Sequence, residues 1–123
     1  MVKDNMSDQV EGVVGVREEK KGDVLILRFL GRLDAVSTPE AEKRVMQLIE
    51  GGSHKVLMDF AGIDYISSAG MRMLLAVTKK LKVHSGRLVL CSITMNVMDV
   101  FKMSGFDHVL ELTPNEGDAL SKF

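Results

Sequence analysis

The chain predicts a single-domain α/β fold: a mixed, mostly parallel β-sheet of about five strands with about four helices. Three observations predict it. Short runs rich in branched apolar residues, at 24–30, 55–60 and 87–91, alternate with longer segments of helical apolar spacing. Stop signals separate them: Gly51-Gly52, Ser85-Gly86 and Gly105. A length of 123 residues with 46% hydrophobic types gives one core and no linker or internal repeat to divide it.

The elements follow in order. Residues 1–12 read as a flexible leader, with Asp4, Asn5, Ser7 and Asp8 around isolated Val2 and Met6. Residues 13–123 read as the domain. A moderate strand over 14–19 meets the turn Lys20-Lys-Gly-Asp23, where Gly22 can take positive φ, and the strong strand 24–30 completes a hairpin. Gly31-Arg-Leu-Asp34 ends that strand and opens a loop. The next helix starts either with Ser37 as cap and Glu40 closing a capping box, or with Thr38 as cap and Pro39 at the first helical position. Ala41, Val45, Leu48 and Ile49 form its buried stripe. The strand 55–60 leads to a loop carrying Asp64, Tyr65 and Ile66, and then to a long helix from Ser67-Ser-Ala-Gly-Met to about His84. Its expected inward face is Met71, Leu74, Leu75, Thr78 and Leu81, with Arg72, Lys79, Lys80 and Lys82 toward water. Met71 and Met73 are two apart, so one of them is expected near the surface. A central strand over 87–91, a helix over 95–103 capped by Thr94, a short strand over 109–112 and a last helical segment opened by Thr113-Pro-Asn-Glu116 complete the chain. That final segment docks through Ala119, Leu120 and Phe123.

Composition narrows the function. Lys plus Arg number 16 and Asp plus Glu 17, for a net charge of -1, which speaks against direct nucleic-acid binding. Five Phe, one Tyr and no Trp leave little for stacking bases or sugars. Cys91 is alone, so neither an intramolecular disulfide nor a thiolate metal cluster is expected. The polar start lacks a secretory apolar region and no run approaches membrane-spanning length, so no membrane insertion and a cytoplasmic location are expected.

Functional residues of open α/β sheets gather beyond the carboxyl ends of parallel strands. Three segments qualify: 31–37, 60–70 and 92–96. In the second, either Ser67 or Ser68 can cap the helix. Alternatively, the Ser68 hydroxyl is exposed at a strand-to-helix corner, with small Ala69 and Gly70 leaving room for another protein's active site. A phosphate there would meet the favourable field of a helix N-terminus and add about -1.5 to -2 charges. Asp34, Asp59 and Asp64 either shape loops or face a partner. Met71 or Met73, with Ile66 or Tyr65, could form an apolar rim.

Enzyme signatures are weak. G-x-S-x-G is broken at Ser68 by Ile66, and no P-loop or G-x-G-x-x-G occurs. An aspartyl phosphoacceptor at Asp59 would need Mg2+ held by further carboxylates near the first strand's end, which runs instead into a hairpin. His54, His84 and His108 have no zinc spacing, and the first two fall at the opposite edge of the sheet from Ser68. No cofactor and no metal are expected.

The segment Asp59-Phe-Ala-Gly-Ile-Asp-Tyr-Ile-Ser-Ser-Ala-Gly70, together with Gly31-Arg-Leu-Asp34 and the Ser-Thr-Pro helix start, resembles the STAS domain family. It is similar in particular to stand-alone bacterial anti-sigma factor antagonists, over residues 14–120. Leu88-Val-Leu-Cys and Val100-Phe-Lys-Met-Ser-Gly-Phe106 fit the same pattern. The resemblance implies a protein whose unphosphorylated form binds an anti-sigma factor that is also a serine kinase of the GHKL type, freeing the sigma factor. Phosphorylation switches binding off, and a PP2C-like serine phosphatase restores it. By position, the phosphoacceptor is Ser68. The implied partner-binding residues are Asp34, Asp64, Tyr65, Ile66, Ser67, Ser68, Gly70, Met71 and Arg72, with Gly31 and Asp59 as structural loop positions. Many members carry Asp immediately before the acceptor, where this chain has Ser67. A constitutive scaffold, or an accessory subunit of a signalling or lipid-transport complex, is the alternative. Oligomeric state is left open.

Overall fold

Charged β1 and apolar β2 show how this chain builds its sheet: an edge strand that water can solvate lies beside a strand buried on both faces. The computed structural model describes residues 14–123, so the expected leader and the domain's start at Val13 lie outside the described residues. Strand β1 (Gly15–Lys21) pairs antiparallel with β2 (Val24–Leu33), in register from Lys21 opposite Val24 to Gly15 opposite Leu30. The two-residue turn between them uses Gly22 at φ 63°, a conformation that would strain a side chain. Helix α1 (Thr38–Glu50), β3 (Lys55–Ile66), α2 (Ser68–Val83), β4 (Arg87–Cys91), α3 (Met95–Ser104), a 3-10 turn (Phe106–His108), β5 (Glu111–Thr113) and α4 (Glu116–Leu120) follow. The sheet order is β1-β2-β3-β4-β5, and every pairing after the first is parallel. This is the mixed, mostly parallel sheet that the alternation of apolar runs predicts.

Both faces of the central strands are covered, which is why those strands read as near-continuous apolar runs. Leu25, Leu27, Phe29, Val56, Met58, Phe60, Leu88 and Leu90 join the core with Ala41, Val45 and Ile49 of α1, Leu74, Val77 and Leu81 of α2, and Val97 and Phe101 of α3. Val24, Ile26, Leu57, Val89 and Cys91 form a second, smaller cluster with Ala119, against which Leu120 and Phe123 pack.

Several expectations need correction. Strand β2 runs on through Gly31–Leu33, and β3 runs on through 61–66, where the sequence suggested loops. The two extensions pair with each other, Leu30 opposite Gly62, Gly31 opposite Ile63 and Leu33 opposite Ile66, across two register shifts. Those irregularities break the period-two alternation on which a strand reading rests. At α1, Ser37 holds the cap position, but neither capping arrangement forms: its side chain makes no cap bond. Both Met71 and Met73 are buried, because α2 packs on β3 and β4 and also against α1, which buries a wide arc of the helix. Leu75 and Thr78 are only half-buried. Strand β5 begins two residues later than expected, because Gly105 at φ 76° turns the chain directly into the 3-10 turn and leaves Val109 exposed.

Ion pairs hold α4 over the second face. The Glu116 carboxylate accepts hydrogen bonds from Lys21 at 2.6 Å and Arg28 at 2.8 Å, and Arg28 also reaches Asp59 and Glu19, each at 2.8 Å. Arg28 holds the Glu116 carboxyl below its ordinary range, with Lys21 adding to the effect. A group whose folded pKa is depressed stabilises the fold fully above its unfolded pKa and stops doing so as pH falls through the folded value. Glu116→Gln is therefore expected to lower stability at pH 7, with the gap to wild type closing below about pH 4. Urea unfolding at several pH values reads this directly, and a gap independent of pH would remove the ion pairs as its cause.

Candidate functional site

The carboxyl ends of β2, β3 and β4 open onto one corner. The backbone N–H of Ser67 donates to the Leu33 carbonyl at 2.8 Å, tying the end of β3 to the end of β2. The Thr94 hydroxyl, instead of capping α3, donates to the Ile63 carbonyl at 2.7 Å and ties the β4–α3 loop to β3. The three segments singled out in the sequence thus converge.

Asp34 organises the first of them. Its Oδ1 accepts from the backbone N–H of Ser37 at 2.8 Å and of Val36 at 3.0 Å. The Ser37 hydroxyl donates to the Arg32 carbonyl at 2.6 Å and accepts from the Asp34 N–H at 3.0 Å. The Ser37 N–H holds the Asp34 carboxyl below its ordinary range. Asp34 is thus an anionic hub of a closed loop, half-buried at the corner.

The two serines divide their work. Ser67 is the N-cap of α2, with φ -93° and ψ 176°, and its Oγ accepts from the Gly70 N–H at 3.3 Å. Ser68 is then the first helical residue, and it is exposed. Gly70 has no room for a side chain: a Cβ there would lie 2.7 Å from Ile66 Cγ1 and 3.1 Å from both Leu33 Cβ and the Leu33 carbonyl oxygen. The missing side chain is what lets α2 start so close to the end of β2.

Around Ser68, the residues of the expected partner surface separate by burial. Asp64, Tyr65 and Arg72 are exposed, and Asp34 and Ser67 are half-buried. Ile66, Gly70 and Met71 are buried and shape the corner from within. The apolar rim expected from Met71 or Met73 with Ile66 therefore does not form. Of the expected rim only Tyr65 is exposed, at 40%, with the Arg32 guanidinium 4.1 Å from its ring centroid; Val36 and Met95, 78% and 80% exposed, are the large apolar residues exposed on the other two converging segments. Val36, Met95 and Arg32 carry no periodic signal, and only the convergence of the loops gives them significance.

The remaining candidates lie elsewhere. Gly31, at φ 117°, sits where the β2–β3 register shifts. Asp59 turns to the opposite face of the sheet, accepting from the Ala61 N–H at 2.9 Å and from Arg28. Cys91 is buried beside Ala119, and burial pushes its thiol pKa up. The His54 and His84 rings stack with centroids 4.4 Å apart, next to the starts of β3 and β4 and away from the corner. Among the described residues, no group of three or more His, Cys, Asp or Glu is placed to hold a metal ion, and no helix is long and apolar enough to cross a membrane.

A small mixed-sheet domain with an exposed hydroxyl at a helix start, on a corner where three loops converge, has the anatomy of a protein-binding module. The chain belongs to the STAS domain family, whose model matches residues 16–119. Within it, the chain resembles stand-alone anti-sigma factor antagonists. It is 31% identical over 105 residues to BtrV of Bordetella bronchiseptica, a protein assigned by name to the anti-sigma factor antagonists; the match covers 85% of this chain and 90% of BtrV. An anti-sigma factor antagonist from Mycobacterium paratuberculosis shares the fold with a TM-score of 0.83 at 19% identity, covering 92% of this chain and 96% of that one. The antagonist SpoIIAA shares it with a TM-score of 0.74 in its unphosphorylated form, at 20% identity over 87% of this chain and 94% of SpoIIAA. The phosphorylated Bacillus SpoIIAA scores 0.67, at 19% identity over 87% of this chain and 97% of that one.

Three substitutions check this anatomy. Ser67→Ala is expected to cost about 1 kcal/mol through the lost cap, while Ser68→Ala stays within about 0.5 kcal/mol. Gly70→Ala is expected to cost about 1–3 kcal/mol, because the β2–α2 contact must open. Denaturant unfolding measures all three, and equal costs for the two serines would refute their division of roles.

Proposed function

We propose that this chain is an anti-sigma factor antagonist whose binding is switched at Ser68. The observation that carries the reading is the division between the serines: Ser67 takes the capping bond, so the Ser68 hydroxyl stands exposed at the first turn of α2. Unphosphorylated, the corner docks an anti-sigma factor through Tyr65, Val36 and Met95, with Asp64 and Arg72 beside them. That occupies the anti-sigma factor and leaves its sigma factor free. The chain acts by binding and catalyses nothing itself.

The docked partner, a serine kinase of the GHKL type, transfers the γ-phosphoryl group of ATP to Ser68 Oγ. The hydroxyl proton is lost and ADP leaves. The fold tolerates the product, because the helix N-terminus favours negative charge there. The interface does not, since about -1.5 to -2 charges and a strongly hydrated group now occupy a surface that must be desolvated on docking. A PP2C-like phosphatase hydrolyses the phosphoserine and restores the hydroxyl.

One observation favours a second reading. Ser67 stands where the family resemblance leads one to expect Asp, so the chain also suits a constitutive scaffold that binds through the same corner without phosphorylation.

The test needs the anti-sigma factor recovered from the source cells with this chain as bait, then purified. By calorimetry, Ser68→Asp is expected to weaken binding at least about tenfold, while Ser68→Ala binds within about threefold of wild type and accepts no phosphate. Equal affinities of the two variants would overturn the switch. Mass spectrometry of the native protein separates the readings: phosphate on Ser68 that varies with growth condition supports the switch, and its absence under every condition supports the scaffold.

A further inference from the structure

The solvent face of α2 is charged with one sign along its length. Ser68, Arg72, Leu75, Lys79 and Lys82 recur at spacings of four, three, four and three, which places them on one stripe. Arg72, Lys79 and Lys82 are exposed, and none makes an ion pair among the described residues. The fourth cation of the helix, Lys80, is half-buried and is engaged by Glu50 of α1, so it belongs to the packing of α1 on α2. The helix contains no Asp or Glu. Val83, 79% exposed, ends the stripe. From Ser68 to Val83 it runs about 22 Å, the length of a substantial docking strip.

We infer that this stripe is a basic docking strip for an acidic, Asp- and Glu-lined face of the chain's protein partner. The inference rests on the reading of the Ser68 corner as the docking site, because the stripe begins there and continues it. Three exposed cations facing carboxylates would speed encounter and fix the orientation of docking. The same arrangement sharpens the switch. A phosphate on Ser68 would set negative charge at the head of the strip, directly against the partner's acidic face.

Other anionic occupants fit less well. A nucleic-acid surface would draw on more cations than three and on stacking aromatics, of which the stripe has none. An anionic bilayer would draw on an exposed apolar face beside the cations. Here Leu75 and Ala76 are half-buried, and only Val83 projects.

The experiment measures association rates of the full chain with the purified anti-sigma factor at about 50 and about 300 mM salt. Lys79→Glu/Lys82→Glu is compared with Lys43→Glu, an exposed site on α1. The double variant is expected to associate on the order of tenfold more slowly at low salt, with most of the difference gone at high salt, while Lys43→Glu matches wild type. Equal rates for the double variant and wild type overturn the strip and leave the Ser68 reading standing. If wild type does not bind the anti-sigma factor at all, the corner reading fails, and the strip is judged by poly-L-glutamate added to the 15N-labelled chain. Amide shifts confined to 72–83 and lost in the double variant uphold it, and their absence overturns it. Tighter binding of a DNA duplex or of phosphatidylserine vesicles than of poly-L-glutamate overturns the acidic-protein assignment.

Discussion

Parallel pairing between β2 and β3 continues past the point where the apolar alternation of each strand stops, and the corner depends on that continuation. Leu33 opposite Ile66 is the last rung, and the Ser67 N–H closes it by donating to the Leu33 carbonyl. The start of α2 is therefore bonded to the sheet, not suspended from a loop. The same rung sets the tight contact at Gly70, whose missing Cβ leaves room for Leu33 and Ile66. A shorter β2 would leave Ser67 without that acceptor and would leave Asp34 without a fixed strand end from which to organise its loop. A binding surface gains from this rigidity, since little conformational entropy remains to be lost when a partner docks.

The order of elements, the hairpin and most of the α1 face were legible because each rests on local spacing. Val24 to Leu30 reads as a strand in any context, and Ala41, Val45 and Ile49 read as one helix face. What was hidden depends on partners distant in sequence. Residues 61–66 look like a loop because Ala61, Gly62 and Asp64 interrupt the apolar pattern, yet they are held extended by the far end of β2. Met71 and Met73 cannot share a narrow stripe, but α2 packs on the sheet and against α1, so both are buried. Ser68 stood out through its small neighbours, whereas Val36 and Met95 became visible as surface features only when their loops converged. A pattern confined to one element cannot announce an apolar residue whose significance lies in what stands across the corner.

The two serines show how a cap can define a site. Adjacent hydroxyls at a helix start are equivalent in sequence, and either could have taken the orphan N–H. Once the β3 backbone delivers Ser67 in extended geometry, its side chain reaches Gly70 N, and Ser68 enters the first turn with nothing to cap. A serine oxygen at the preceding position supplies the cap without a charge, so residue 67 sets no carboxylate beside Ser68, and this bears on which partner surface suits the corner.

Net charge misleads when ion pairing is uneven. The near-balance of this chain excludes a uniformly basic domain, but its charges are sorted by location. Lys21 and Arg28 are engaged by Glu116, Glu19 and Asp59 on the α4 side; Arg44 by Glu18, Lys55 by Asp23, and Arg87 by Glu111. These pairs consume basic groups around the edges and the second face of the sheet. The exposed face of α2 has no acid of its own to pair with its cations. Arg72, Lys79 and Lys82 therefore stay unpaired there, which the composition conceals, on the one helix among the described residues whose first turn carries an exposed serine. Their sign is opposite to that of a phosphate, so a modification at Ser68 alters the very surface whose charge would have drawn the partner in.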